Sequence, residues 1–228
     1  MAVSVASVIS RVEQVLQDTT NIRWPESELL LWINDAQREI ALLKPDASAV
    51  NETITLAAGT KQSIPTSGNR LLRVVRNMSA GSGGTGKRSV RLVNREILDA
   101  QTPDWHDPTV AGDASHTNIV KHYVYDESNP RNFYVYPGVS GNAYLEIVYS
   151  SNPATVTASD NLSIPDIFAN AVMNYVLYMA YMKDTEYAGN QQRAGSHYQL
   201  FTAAVTGKGQ IDAMTNPNID SARPAVAV

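Results

Sequence analysis

Gly81-Ser82-Gly83-Gly84-Thr85-Gly86-Lys87 fills the first seven positions of a phosphate-binding loop, in which glycine N–H groups cradle phosphates and the lysine neutralises them. The eighth position breaks the pattern, because Arg88 stands where a Ser or Thr hydroxyl should ligate magnesium. The next residues, Ser89-Val90-Arg91-Leu92-Val93, read as a strand and not as the helix whose N-terminus would hold the anion. The glycines are better read as a flexible hairpin tip. Four histidines, His106, His116, His122 and His197, have no paired spacing on one helix, and the acids near them complete no metal set. Asp104, His106 and Asp107 cluster around Trp105 and could hold acid–base chemistry. Pro103 and Pro108 mark the same stretch as a tight loop pinned by one buried indole. The residues therefore nominate no catalytic group, no cofactor ligand and no metal ligand.

Basic side chains gather at Arg70, Arg73, Arg76, Lys87, Arg88, Arg91 and Arg95. A nucleic-acid reader would use such a patch with stacking aromatics, and none occurs between Trp32 and Trp105. The patch, centred on Arg73, Arg76, Arg88 and Arg91, is read as a local electrostatic contact with a protein partner. With 18 Lys and Arg against 22 Asp and Glu, the net charge of −4 leaves no global footprint for gripping phosphates. Cysteine is absent, which removes disulfides, thiolate metal sites and cysteine nucleophiles together. The N-terminus carries no positive residue before Arg11, and its apolar residues are interrupted by Ser and Ala, so a helix is expected there and not a signal peptide. The most apolar run, residues 167–182, is broken by Asn170, Asn174 and tyrosines, so no membrane span is expected.

The elements that would position these groups can be read from hydrophobic period. Val5, Val8, Ile9, Val12 and Leu16 recur at helical spacing, with Ser4 as cap, and predict a helix over 4–18. Pro25 followed by Glu26 and Glu28 starts a second helix, whose buried stripe is Leu29, Ile33, Ala36, Ile40 and Leu43. From Glu52 the period changes to two, and segments near 54–56, 72–76, 89–93, 121–125, 133–136 and 144–149 read as strands separated by turn-rich spacers. Helical spacing returns at Ile164-Pro165-Asp166, giving a third helix through Met182 and a fourth over 184–205.

The fold class expected is α+β: an antiparallel four-helix bundle interrupted by an inserted antiparallel β-sheet or small barrel module, with an extended C-terminal arm. The bundle would comprise 1–50 and 160–206, the β module 51–159 and the arm 207–228. Gly207 and Gly209 are read as ending the last helix, with Pro217 and Pro224 preventing another. Ile211, Met214, Ile219, Val226 and Val228 are the arm's only sizeable apolar side chains, too few for a private core but enough to seat a strand on a neighbouring subunit or other partner.

Arg23-Trp24-Pro25-Glu26-Ser27-Glu28-Leu29 opening a helix that continues Trp32-Ile33-Asn34-Asp35-Ala36-Gln37-Arg38-Glu39-Ile40, then a β module, then Met182 to Asn190 and Arg193-Ala194-Gly195-Ser196-His197-Tyr198, with Phe201 one turn on, resembles head-to-tail adaptor proteins of tailed bacteriophages. The resemblance covers roughly residues 4–206. It implies a non-enzymatic virion subunit in the neck, assembled in the host cytoplasm, with copies forming a ring of about twelve beneath the portal protein. Such a ring extends the DNA channel, passes double-stranded DNA without reading its sequence and presents a face to tail or nozzle proteins. Membrane and small-molecule partners are not implied. Two other classes are kept beside it: a tail or baseplate component, and a nucleotide- or glycan-binding hydrolase using the Trp105 loop or the glycine-rich tip.

Overall fold

The structure, a computed structural model, describes residues 2–214. In chain order its regular elements are α1 (Val5–Leu16), α2 (Glu26–Leu43), β1 (Ala49–Thr55), β2 (Gly59–Ser63), β3 (Gly68–Met78), β4 (Gly86–Ser89), β5 (Arg91–Leu92), α3 (Arg95–Gln101), β6 (His122–Tyr125), β7 (Asn132–Val139), β8 (Tyr144–Ser151), α4 (Ala169–Lys183) and α5 (Asn190–Met214). They form two compact units, one from the chain up to Ser48 and from Pro153 onward, the other from Ala49–Asn152.

In the helical unit α1 is capped by Ser4, whose hydroxyl accepts from the Ser7 N–H at 3.2 Å, and it buries Val5, Val8, Ile9 and Val12. The helix α2 begins after Pro25 with Glu26 and Glu28 in its first turn, where acids meet the positive end of the backbone dipole. The centre is α4, which packs against α1, α2 and most extensively α5. The expected four-helix bundle does not form. An irregular strap, residues 153–165, lies on the core in place of helix surface and contributes buried Val156, Leu162 and Ile164.

Two buried amides explain why the strap wins that position. Asn34 Nδ2 donates to the Val156 carbonyl at 3.1 Å and its Oδ1 accepts from the Val156 N–H at 2.8 Å. Gln37, fully buried, accepts from both the Ser163 N–H and hydroxyl at 2.7 and 2.9 Å. Spaced three apart, both side chains lie on one face of α2 and satisfy backbone groups that a non-helical segment would otherwise leave orphaned. The strap's other edge pairs with the N-terminus, Leu162 N–H donating to the Val3 carbonyl at 3.0 Å.

The arm expected from Gly207 does not begin there, because α5 continues through Gly207 and Gly209 to Met214. Each helix-interior glycine costs about 1 kcal/mol relative to alanine. That cost is offset on one side by buried Phe201 and Val205, and on the other by Asp212, which pairs with Lys208 one turn back and with Lys44 Nζ beyond the end of α2. Of the arm's apolar residues, Ile211 and Met214 thus belong to a helix, while Ile219, Val226 and Val228 lie outside the described residues.

The β unit consists of two four-stranded sheets, ordered β1-β8-β3-β4 and β2-β7-β6-β5, around a shared core that includes Leu71, Val74, Phe133, Val135, Leu145 and Ile147. No barrel closes, since β1, β4, β2 and β5 each pair on one side only among the described residues. Nor is the module wholly antiparallel: β5 runs parallel to β6, aligning Arg91 with His122. The first and last strands are neighbours, with Ala49 opposite Ser150, so the insertion leaves and returns at one edge.

In β3 the register shifts between Gly68 and Arg70, Leu71 and Arg73, and Val74 and Arg76. Each bulge sets an extra residue against β8, so the buried positions recur every third residue, at Gly68, Leu71, Val74 and Asn77. Arg70, Arg73 and Arg76 fall together on the exposed side.

Candidate functional site

The glycine-rich segment joins β3 to β4 as the tip of an antiparallel hairpin, with Met78 opposite Gly86 and Arg76 opposite Ser89. Gly83 adopts φ +67°, a conformation glycine takes without penalty, and the chain proceeds into strand and not helix. Phosphate-loop geometry is absent here. Lys87→Ala is accordingly expected to leave assembly and any nucleotide response unchanged; ATP binding that the substitution abolishes would contradict this.

The Trp105 loop is built for packing. The indole is fully buried among Leu98, Ala114, Val124 and Tyr136, and its Nε1–H donates to Asp99 Oδ1 at 2.8 Å. That bond, then Arg95, holds the Asp99 carboxyl below the usual carboxylate range. His106 stacks on the indole at 3.7 Å and its Nδ1 meets the buried Thr60 hydroxyl at 2.7 Å. Partial burial and Arg95 push the His106 imidazole below its ordinary value. A hydroxyl beside an imidazole is half of a nucleophile–base arrangement, but Asp99 spends its hydrogen bond on Trp105, and no acid among the described residues orients His106. His106 and His116 line a concavity of about 520 Å³ with Pro108, Val139 and Ser140. Among the described residues no three His, Asp or Glu side chains come together in an arrangement able to hold a metal ion.

The four arginines of the basic patch separate into two settings. Arg76 pairs with Glu146, which also accepts from Asn51 Nδ2 at 2.9 Å, and these bonds, with Arg73 nearby, keep the Glu146 carboxyl below its usual range. Arg88 and Arg91 instead line a second concavity with Ser89, Lys121 and His122. The last two residues carry no sequence signal for this grouping, since only the parallel pairing of β5 with β6 brings them alongside.

In the helical unit, two distant stretches of the sequence meet. The Asp18 carboxylate accepts from the N–H groups of Ile22, Arg23 and Trp24, folding the α1–α2 connection into a compact turn. It thereby presents Arg23, whose guanidinium lies over the Trp24 ring at 5.2 Å and the Tyr187 ring at 4.5 Å and pairs with Asp184. Asp184 also accepts from Asn190 Nδ2, at the first residue of α5. So Arg23-Trp24 closes on Asp184 to Asn190, and the two segments that carry the adaptor resemblance form one structural clamp.

The family model of the SU10 adaptor protein matches residues 3–221, nearly the whole chain. The chain belongs to the SU10 adaptor protein family. The match agrees with the resemblance to phage head-to-tail adaptors that those segments carry. No curated protein matches the chain. Membership in the SU10 adaptor family makes the protein a structural adaptor of a bacteriophage, and no helix among the described residues is long and apolar enough to cross a membrane.

One further surface stands out in this adaptor. At 1.5 Å per residue, α5 is about 15 Å longer than α4, so its last two turns run past the start of its partner. Leu200, Ile211 and Met214 are 55%, 58% and 76% exposed on this helix, while Ala194, Phe201 and Val205 are buried. Apolar residues therefore occupy two sides of α5, one filled by its own unit and one facing outward.

Proposed function

We propose that this protein is the head-to-tail adaptor of a tailed phage virion. Copies assemble as a ring of about twelve beneath the portal protein, extend the DNA channel and offer tail or nozzle proteins their attachment surface. The family match across residues 3–221 carries this reading. The protruding end of α5 supports it, because Ile211 and Met214 form an apolar surface suited to a neighbouring subunit or the portal. Residues Ile219, Val226 and Val228 continue the same attachment in this proposal, and the basic residues Arg73, Arg76, Arg88 and Arg91 supply further contacts. The protein acts in the virion neck after assembly in the host cytoplasm. It uses no cofactor and performs no catalysis.

The helical unit already buries its own core without a neighbouring copy. The purified chain is therefore expected to sediment as a monomer or weak oligomer at micromolar concentration and to form a defined ring only when portal rings are added. A large stable ring without portal contradicts the template requirement. A chain that ignores portal rings and binds purified tail proteins instead is a tail component.

A further inference from the structure

We propose that Arg88 and Arg91, beside His122, form a preorganised site for a phosphate group, presented by the backbone of double-stranded DNA or by free phosphate. The concavity they line with Ser89, Lys121 and His122 has a volume of about 220 Å³, and no acid among the described residues lines it. Neither Arg88 nor Arg91 has a carboxylate within ion-pair reach among the described residues. Converging cations repel one another, a cost that an anion in the concavity would relieve. The same field is felt by His122: burial and then Arg88, Arg91 and Lys121 push its imidazole below the ordinary value.

The cluster is held from beneath by one buried amide. Asn77, 2% exposed, donates from Nδ2 to the carbonyls of Arg88 at 2.9 Å and Val120 at 2.8 Å, and its Oδ1 accepts from the Val120 N–H at 2.8 Å. Three hydrogen bonds from one side chain thus fasten the backbone of β4 to the residue preceding Lys121 and His122. The β5–β6 ladder fixes the rest, with Arg91 directly opposite His122. The backbone that bears Arg88, Arg91 and His122 is so fixed by a buried amide and a strand ladder, which sets the two guanidinium forks and the imidazole on one concavity.

The donors define the ligand chemistry. Guanidinium groups match the oxygens of a phosphate bidentately, and a duplex backbone needs no stacking aromatics to be held. This unit also carries ten of the chain's 18 basic residues but only nine of its 22 acids, so the net negative charge resides on the other unit. The proposal does not depend on the adaptor reading, and its failure would leave that reading intact.

The test uses the full chain and the double variant Arg88→Gln/Arg91→Gln, with Lys61→Gln as a control that removes one positive charge elsewhere in the unit. Binding of a fluorescent 20-base-pair duplex is measured by anisotropy across a salt series, and binding of inorganic phosphate by calorimetry. The unmodified chain is expected to bind the duplex with affinity that falls as salt rises. The double variant should lose about tenfold at low salt and flatten the log–log salt slope by about one to two units. Lys61→Gln should stay within about twofold, and all three proteins should melt alike, since both arginines are exposed. Phosphate binding that depends on Arg88 and Arg91, without duplex binding, assigns the site to the free ion. If neither ligand binds in a way the double variant weakens more than the control, the proposal is wrong.

Discussion

Replacing Ile211 and Met214 together with aspartate is expected to leave the purified chain folded while abolishing its attachment to portal rings. Both side chains lie outside the core, at 58% and 76% exposure, on the part of α5 that runs beyond α4. Their replacement should cost the isolated chain little, because exposed positions away from buried features shift stability by about 0.5 kcal/mol or less. Against a partner the account reverses. Two buried apolar side chains contribute about 1.5–3 kcal/mol each, so losing both weakens a single contact by two to four orders of magnitude. Repetition around a ring multiplies the effect, since every copy loses the same contact and the effective concentration that sustains weak docking no longer compensates. Particles made with the variant should therefore fill with DNA and then leak it or fail to join tails, as counted by electron microscopy. Normal particle yield would show that this end of α5 is not the attachment surface. A lowered melting temperature would show that it belongs to the core.

Trp105→Ala is expected to be the most destabilising single substitution in the β unit, by about 3–5 kcal/mol with a fall of about 10–20 °C in melting temperature. The indole is fully buried, meets the Tyr134 and Tyr136 rings edge-on at 6.2 and 6.3 Å and gives its N–H to Asp99. Alanine leaves a cavity that Leu98 and Val124 cannot fill without moving the loop. Trp105→Phe separates packing from hydrogen bonding. It keeps an aromatic ring and removes the donor that holds the Asp99 carboxyl below its ordinary value of 3.8. A carboxyl depressed in the folded state adds stability above its unfolded value, and that stability is lost as pH falls through the folded one. Thermal melts should thus show the unmodified protein losing more stability than Trp105→Phe on acidification below about pH 4. Equal losses would mean that the indole N–H contributes nothing to the carboxylate. A catalytic role for this loop would instead show as activity lost in Trp105→Phe without loss of stability.

The aromatic gap between Trp32 and Trp105 bears on how the basic residues are understood. It argues against stacked single-stranded bases, yet it is silent about a duplex whose phosphates alone are touched. Arg73 and Arg76, set around Glu146, and Arg88 and Arg91, set around a concavity that no acid among the described residues lines, look equivalent along the chain and differ only once the sheets are formed.

The sequence alone determined the features that depend on neighbours within a few residues. Ser4 capping α1, Pro25 with two acids opening α2, the apolar stripe of that helix from Leu29 to Ile40 and the glycine-rich hairpin tip are local matters of dihedral freedom, dipole and period, and each is where the residues place it, whereas Leu43, expected to continue the stripe, is 44% exposed at the helix end. The adaptor resemblance was legible for a related reason: its signature residues are contiguous runs. Other features were decided only in three dimensions. Asn34 and Gln37 look like polar interruptions of a helix, and only the strap shows them holding a non-helical segment against the core. Gly207 and Gly209 read as a helix end, because a glycine's cost is local while the ion pairs of Asp212 with Lys44 and Lys208 that offset it include a partner 168 residues away. Likewise β5 and β6 pair in parallel across a gap that no turn signal spans, which alone sets Arg91 beside His122. Local rules fix where elements start and which face is apolar, whereas long-range hydrogen bonds and charges fix which faces meet, and the candidate phosphate site exists only at that second level.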